Sequence, residues 1–178
     1  MINPDELLFI VDENNKPLAP VIRKIAHKKV LWHRTTGIWV INKKRQVLCQ
    51  KRSLLKDQNP GKWEAFFGGH LGPDEDYLES AVREVSEELG KKITKDQLVV
   101  YQPVVKGDKK THREFQYVFA LFLDEDSNSF QFEKEEIDQL KWIDLDEVKK
   151  ILLEIKDENW VQKPWDEEVI DWITILTK

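Results

Sequence analysis

The stretch GHLGPDEDYLESAVREVSEELGK, residues 69–91, decides the fold, because it specifies a helix together with both of its ends. Asp76 and Glu79 are three residues apart, which predicts a capping box at the start of the helix. Gly90 occupies the place where a left-handed residue commonly ends a helix. The spacing therefore predicts a helix over Asp76–Leu89, whose apolar face consists of Leu78, Ala81, Val82, Val85 and Leu89.

A second face of the predicted helix is acidic. Glu84, Glu87 and Glu88 are related as i, i+3 and i+4, so their side chains emerge on one side. Like charges at this spacing destabilise a helix by about 0.2–0.5 kcal/mol per pair, and anions are disfavoured near its C-terminus. A solvated charged face is the ordinary interpretation. The alternative is a site for a hard divalent cation such as Mg²⁺, which takes oxygen ligands.

The spacing of the whole stretch favours the cation. Residues 69–91 resemble the Nudix box, G-x5-E-x7-R-E-U-x-E-E-x-G-U, in which U is a bulky apolar residue. Every fixed position matches except the last, where Lys91 replaces an apolar residue and Ile93 is expected to supply the packing contact. The resemblance implies an α/β fold: the Nudix α/β/α sandwich, with a mixed central sheet and a loop–helix–loop box.

The resemblance also implies an activity. Nudix hydrolases cleave a nucleoside diphosphate linked to another moiety, X, by water attack on phosphorus, and they use Mg²⁺ or Mn²⁺. Divalent ions polarise a diphosphate and lower the pKa of bound water. By resemblance, Arg83 and Glu75 form an ion pair that orients the carboxylates. The implied metal ligands are the Gly69 carbonyl and the side chains of Glu84, Glu87 and Glu88.

The base that activates water has two candidate locations. Glu88 is the first. Nudix enzymes often recruit a further carboxylate from a loop before a late strand, and here Glu133, Glu135 and Glu136 precede the predicted strand Ile137–Ile143. A solvated charged loop explains these residues equally well, so both interpretations stay open.

Several basic residues adjoin predicted strands and are candidates for binding a diphosphate, because a cation forms charge-assisted hydrogen bonds with phosphate. For each of these residues alone, an ordinary charged side chain at the surface is the simpler interpretation. Arg34 and Arg52 are preferred because both adjoin strands that lead toward the box. The full set of candidates is Arg34, Lys51, Arg52, Lys56 and Arg113.

A narrower resemblance links the chain to the branch that includes type I isopentenyl diphosphate isomerases. It rests on LLFIVDENNKPL, HKKVLWHRTTGIWVINKKRQVLCQKRS and PGKWEAFFGGHL. The isomerases use a cysteine just before a Gly-His pair, but here Gly68 precedes Gly69-His70, and the single cysteine, Cys49, is elsewhere. We therefore expect a hydrolase on the isomerase scaffold. An isomerase-like protein and a non-catalytic nucleotide-binding module are the alternatives.

The isomerase resemblance further implies a second metal site or diphosphate-binding group made of His33, His70 and Glu114. His27 matches this pattern with a spacing slip of one residue, and His112 replaces a second glutamate. Imidazole with carboxylate suits Zn²⁺ or Mn²⁺ better than Mg²⁺. Four histidines in a chain of this length are also unremarkable as hydrogen-bonding groups.

Composition sets the remaining expectations. The 178 residues predict a single domain over 1–178, with a hairpin extension at 1–30, the box at 69–91 and C-terminal helices at 144–178. A net charge of −5 favours neither nucleic acid nor a membrane surface. We expect a cytoplasmic protein with a small-molecule diphosphate substrate, and a homodimer is left open.

Further predicted elements are strands at Leu7–Val11, Pro17–Pro20, Leu98–Val105 and Phe115–Leu123, a charged loop at Lys106–Arg113, and helices near Asp146–Ile155 and Asp166–Leu176.

Overall fold

The described part of the chain forms eight strands and four α-helices. The structure, a computed structural model, describes residues 6–109 and 112–178. The strands are β1 (Leu7–Leu8), β2 (Val21–Ile22), β3 (His33–Ile41), β4 (Gln46–Arg52), β5 (Trp63–Glu64), β6 (Leu98–Lys109), β7 (His112–Phe122) and β8 (Ile137–Asp144). The helices are α1 (Arg23–Lys28), α2 (Tyr77–Leu89), α3 (Leu145–Lys149) and α4 (Asp166–Leu176). Helix α3 continues into π-helical turns over Lys150–Ile155.

The central sheet is mixed. Its strand order is β5-β4-β3-β7-β6, and β8 pairs along β4. Strands β3 and β7 are parallel, with His33 opposite Glu114, whereas the other pairs are antiparallel. Strands β1 and β2 form a separate two-stranded sheet. The α/β class with a mixed central sheet is therefore confirmed.

Strand β3 shows why both faces of the sheet are covered. Successive side chains of a strand point to opposite faces, and here both sets are apolar and buried. Ile38 and Val40 pack with α2 residues in one core cluster. Trp39 and Ile41 pack with residues of α3 and α4 in another. Helix α2 thus lies on one face of the sheet, and the C-terminal helices cover the other.

Some sequence predictions of local structure are wrong. The charged segment Lys106–Arg113 is not a loop over most of its length, because β6 and β7 continue their pairing to Lys109 and His112. Near the N-terminus, the return strand is Val21–Ile22 rather than Pro17–Pro20, where Pro17 forms a single bridge with Val11. Proline lacks the N–H donor that a paired strand needs. Among the described residues, no helix has the length and apolar character required to span a bilayer.

Candidate active site

Helix α2 has the ends that the sequence predicts. The Glu79 N–H donates to Asp76 Oδ1 at 2.7 Å, and the Asp76 N–H donates to Glu79 Oε2 at 3.2 Å, so the capping box is complete. Gly90 follows the helix with a φ of 65°, a conformation that glycine adopts without steric cost. Ala81, Val85 and Leu89 are buried in the core, which turns the acidic face toward a cleft.

Arg83 holds three carboxylates of the box. Its Nε and Nη2 donate to Glu75 at 2.6 and 3.0 Å, the two-point geometry typical of strong arginine–carboxylate pairs. Its Nη1 donates to Glu84 at 2.8 Å and to Glu87 at 2.9 Å. Burial opposes the ionised form of Glu75, but the hydrogen bonds from Arg83 and the Gly72 N–H more than compensate, and the pKa of Glu75 is lowered.

Two box carboxylates, the buried Glu84 and the half-buried Glu88, interact with one another. Burial raises the pKa of Glu84 to about 7, against an ordinary value of 4.5; Arg83 lowers it and the charge of Glu87 adds to the rise. Burial and the charge of Glu84 raise the pKa of Glu88 well above the same value, although Glu88 accepts a 2.7 Å hydrogen bond from the Gly68 N–H. Glu87 is exposed over 60% of its side chain. A divalent cation would relieve this repulsion.

The backbone at Gly69 lies directly against the Glu84 carboxylate. A Cβ atom at Gly69 would lie 2.5 Å from Glu84 Oε1, so only glycine fits without displacing the carboxylate. The Gly69 carbonyl accepts a hydrogen bond from the Thr36 N–H at 2.9 Å, and a carbonyl oxygen has a second lone pair. The residues present therefore fit a hard cation, since the donor set consists of oxygens and carries excess negative charge.

The carboxylates line a cleft of about 530 Å³. Its walls carry eight glutamates and five Lys or Arg side chains. Sequence reasoning missed four of these charged residues, Glu6, Arg23, Glu64 and Lys163, because no motif marks them. Lys163 had one usable indication: it lies between two tryptophans, Trp160 and Trp165, in an acidic part of the chain.

Comparisons with known proteins agree with this geometry. Residues 31–168 match the NUDIX domain family. The chain belongs to the Nudix family. It is 35% identical over 145 residues to an uncharacterized Nudix hydrolase of Yersinia pestis, covering 80% of this chain and 75% of that protein. An isopentenyl-diphosphate Delta-isomerase of Pectobacterium atrosepticum is 34% identical over 83 residues, 47% of this chain and 46% of the isomerase.

The Nudix fold is also found among solved structures. The crystal structure of DR0079 from Deinococcus radiodurans has a TM-score of 0.71 and 23% identity, covering 94% of this chain and 99% of that one. The predicted Nudix sandwich is thus confirmed, and so is the resemblance to both the hydrolases and an isomerase.

The basic residues predicted to bind substrate have different locations in this Nudix fold. Arg52 lines the cleft and pairs with Glu64 at 2.8 Å. Arg34, Lys51 and Arg113 are not among the residues that line it. Arg34 instead donates to Asn15, and its guanidinium lies 4.6 Å from the Phe9 ring centroid; Lys51 is 3.9 Å from Asp138, and Arg113 lies over Trp32. The sequence favours Arg34 because it adjoins a strand that leads toward the box. A position next to a strand does not reveal which face or end of that strand borders the cleft.

The loop before β8 contributes two of its three glutamates. Glu133 and Glu136 line the cleft, and Glu136 forms an ion pair with Lys56, another lining residue. Glu135 is exposed and does not line it. Glu133 and Glu136 are three residues apart in a turn, which a 3.0 Å hydrogen bond from the Glu136 N–H to the Glu133 carbonyl closes. Of the candidate bases, Glu88, Glu133 and Glu136 therefore line the cleft, and Glu135 does not.

His27, His33 and His70 form a cluster next to the Nudix box. His33 and His70 have ring centroids 5.1 Å apart, and His27 lies 5.3 and 5.0 Å from them. Their ligand nitrogens all lie within 4.8 Å of one another. Glu114 lies opposite His33 in the β3–β7 register, but its carboxylate accepts hydrogen bonds from Lys163 at 2.6 Å and Thr35 at 3.4 Å. The side chain of His112 lies outside the described part of the structure.

Gly68 explains why a cysteine is disfavoured before the Gly-His pair. Its φ is 129°, and a Cβ atom there would lie 2.3 Å from the Thr36 carbonyl oxygen. Cys49 is on β4, fully buried, and its burial raises its thiol pKa. Among the described residues, no cysteine reaches the cleft.

Proposed function

We propose that the protein is a Mg²⁺-dependent Nudix hydrolase that cleaves the diphosphate of a nucleoside diphosphate joined to another moiety, X, by water attack on phosphorus. One observation carries the proposal: the box carboxylates converge on a single cleft, and the pKa values of two of them, Glu84 and Glu88, are raised. Interacting acids that are withdrawn from water cost a fold free energy, and groups with shifted pKa values cluster at functional sites.

In this proposal each box residue has a distinct role. Glu84, Glu87 and Glu88, with the Gly69 carbonyl, would hold the cation. When bound, Mg²⁺ or Mn²⁺ supplies polarisation of the diphosphate and activation of water. Arg83 fixes the carboxylate rotamers through its hydrogen bonds, and Glu75 fixes Arg83.

The surrounding charges complete the assignment. Glu88 or Glu136 accepts the proton of the attacking water. Arg52 and Lys56 are two of the five cationic side chains that offset part of the negative charge of the cleft walls, which lowers the electrostatic cost of admitting a diphosphate.

The proposal is tested by incubating the protein with Mg²⁺ and a panel of nucleotides, nucleotide sugars and isopentenyl diphosphate, and resolving products by chromatography. The variants Glu87→Gln and Glu88→Gln keep the side-chain shape and remove the charge. We expect kcat to fall by more than about 100-fold, since even an outer-shell partner of a metal ligand is worth about 10–100-fold. Glu154→Gln, on an exposed position of the C-terminal helices, is the matched control. Wild-type rates in the box variants would contradict the assignment.

A second binding role is proposed for the histidine cluster. Three imidazoles with nitrogens within 4.8 Å of one another form a donor set for Zn²⁺ or Mn²⁺, or for a phosphate oxygen. Competition with a chromogenic chelator measures Zn²⁺ affinity directly, and His70→Asn should weaken it by at least tenfold. The metal role is excluded if wild-type protein takes up no Zn²⁺; a weaker affinity of His70→Asn for inorganic pyrophosphate would then support the phosphate role.

A further inference from the structure

A second cavity of about 660 Å³ adjoins the acidic cleft. The two share four wall residues: Gln58, Asn59, Glu114 and Lys163. Across residues 6–109 and 112–178, Lys163 is the shared wall residue that carries a positive charge. A substrate anchored by the box carboxylates can therefore extend into the second cavity past this ammonium group.

The segment that carries Lys163 is held in place by hydrogen bonds and by packing against the core. The Lys163 N–H donates to Asp166 Oδ2 at 2.7 Å, at the start of α4. Just upstream, the Val161 N–H donates to the Trp63 carbonyl at 2.8 Å, so the segment is fastened to β5. Trp165 is 5% exposed and packs in the core beneath α4. Contacts on both sides fix the backbone from which the Lys163 side chain extends, and a binding residue benefits from such support.

The Lys163 side chain is 17% exposed, and its ammonium group makes one short hydrogen bond. Its Nζ donates to Glu114 Oε1 at 2.6 Å. The rings of Phe66 and Trp165 lie 5.7 and 5.5 Å from it and offer cation–π contacts. An ammonium group has three N–H donors. Withdrawing an ion pair from water costs free energy, which an apolar residue at position 163 would not cost. A ligand oxygen in the cleft would use the donors that Glu114 does not.

We propose that Lys163 is a substrate-binding residue whose ammonium contacts the phosphate oxygen nearest the second cavity, so that the moiety X lies in that cavity. This rests on the proposed diphosphate hydrolysis. The cavity walls carry three lysines against two glutamates, together with the side-chain amides of Gln58, Asn59 and Gln162. Such walls suit a hydrogen-bonding ring, such as a nucleoside or a sugar, rather than a hydrocarbon chain.

The test compares Lys163→Met with Lys163→Arg, which keeps the charge. Lys149→Met is the control, because Lys149 forms a 2.9 Å pair with Asp171 that is solvent-exposed and contributes to neither cavity wall. Imidodiphosphate with Mg²⁺ is the binding probe, measured by calorimetry, and KM and kcat are measured with the best substrate of the panel. We expect K163M to weaken imidodiphosphate binding and raise KM by about 10–100-fold, the worth of one charge-assisted hydrogen bond. K163R should recover most of the loss, and K149M should match wild type.

The outcomes separate this inference from the proposed function. Affinity and KM of K163M within twofold of wild type would overturn the role of Lys163 and leave hydrolysis standing, as would a fall in Tm without a fall in affinity. If K163M does not fold, K163M/E114Q also removes the negative charge that Lys163 balances, and it is compared with E114Q in the same way. If wild type hydrolyses nothing in the panel, the proposed function fails, and the imidodiphosphate comparison still decides the role of Lys163. Wild-type protein that does not bind imidodiphosphate also overturns the inference.

Discussion

Gly69 lies directly against the carboxylate of Glu84: a Cβ atom on the glycine would stand 2.5 Å from Oε1 and 2.9 Å from Cδ. The glycine is required here by a neighbouring side chain rather than by a left-handed backbone. The first glycine of the box and the first glutamate after its arginine therefore share one small space. This contact makes the position of the Glu84 carboxylate depend on the absence of a side chain at residue 69.

Replacing Gly69 by alanine should displace the Glu84 carboxylate. We expect Gly69→Ala to lower kcat/KM by more than tenfold and to raise the Mg²⁺ concentration for half-maximal rate, because the ligand set is misplaced. Gly72→Ala is the control, since its Cβ would lie at an ordinary 3.5 Å from Glu75. Steady-state kinetics over a Mg²⁺ titration measures both effects. Equal Mg²⁺ dependence in the two variants would contradict the steric argument.

Replacing Arg83 by lysine should impair catalysis, because Arg83 forms two hydrogen bonds with Glu75. Lysine keeps the charge but cannot donate to Glu75, Glu84 and Glu87 in one planar arrangement. We expect Arg83→Lys to reduce kcat by about 10–100-fold, the range for an outer-shell partner of a metal ligand, with a small change in Tm. Arg45→Lys, at a 3.9 Å surface pair with Asp146, should behave as wild type. An unchanged kcat in Arg83→Lys would show that positive charge alone suffices.

Metal-free protein should lose stability as the pH rises from 5 to 8. The folded state holds the proton of Glu84 up to a pKa of about 7, against 4.5 ordinarily, and Glu88 shifts in the same direction. Stability present below about pH 4.5 is therefore lost as the pH rises toward 7, by up to about 1.4 kcal/mol per pH unit for each proton. Thermal unfolding in EDTA measures this slope.

Two comparisons check the source of that slope. Glu84→Gln should flatten the dependence of Tm on pH, whereas Glu154→Gln should keep it. Mg²⁺ should raise Tm more at pH 8 than at pH 5, because it binds the ionised carboxylates. The interpretation fails if wild type and Glu84→Gln show parallel pH profiles.

Introducing a cysteine at residue 68 should destabilise the fold without giving the protein isomerase activity. Gly68 has a φ of 129°, and a Cβ atom would meet the Thr36 carbonyl at 2.3 Å. We expect Gly68→Cys to cost at least about 1–3 kcal/mol of stability, the usual range for one strained backbone position, while Gly72→Cys costs less. Neither variant nor wild type should convert isopentenyl to dimethylallyl diphosphate. Robust conversion by wild-type protein would reverse the choice of hydrolase over isomerase.

The sequence predicted the parts of the structure that depend on local spacing. The limits of α2, its capping box and the left-handed Gly90 follow from residues within one helix and its flanks. The pairing of Arg83 with Glu75 follows from the motif resemblance. These features are encoded within 23 consecutive residues, so no tertiary information was needed.

Features that depend on distant contacts were harder to predict. Lys163 reaches the cleft because its segment is fastened to Trp63, about a hundred residues earlier in the chain. Arg34 points to Asn15 and Phe9 because the N-terminal segment packs beside β3. Neither arrangement has a periodic pattern in the sequence. The extension of β6 and β7 through a charged segment is of the same kind, since pairing rather than composition sets its length.

The burial of Cys49 has a practical consequence for labelling. With no exposed surface and a thiol pKa raised by burial, this side chain should not react with maleimides in the native protein. Leu55 is 71% exposed on the loop that carries the cleft residues Lys56 and Gln58. A fluorophore attached through L55C would therefore report from one known position, on an otherwise silent background, and could follow in real time how that loop responds to nucleotides.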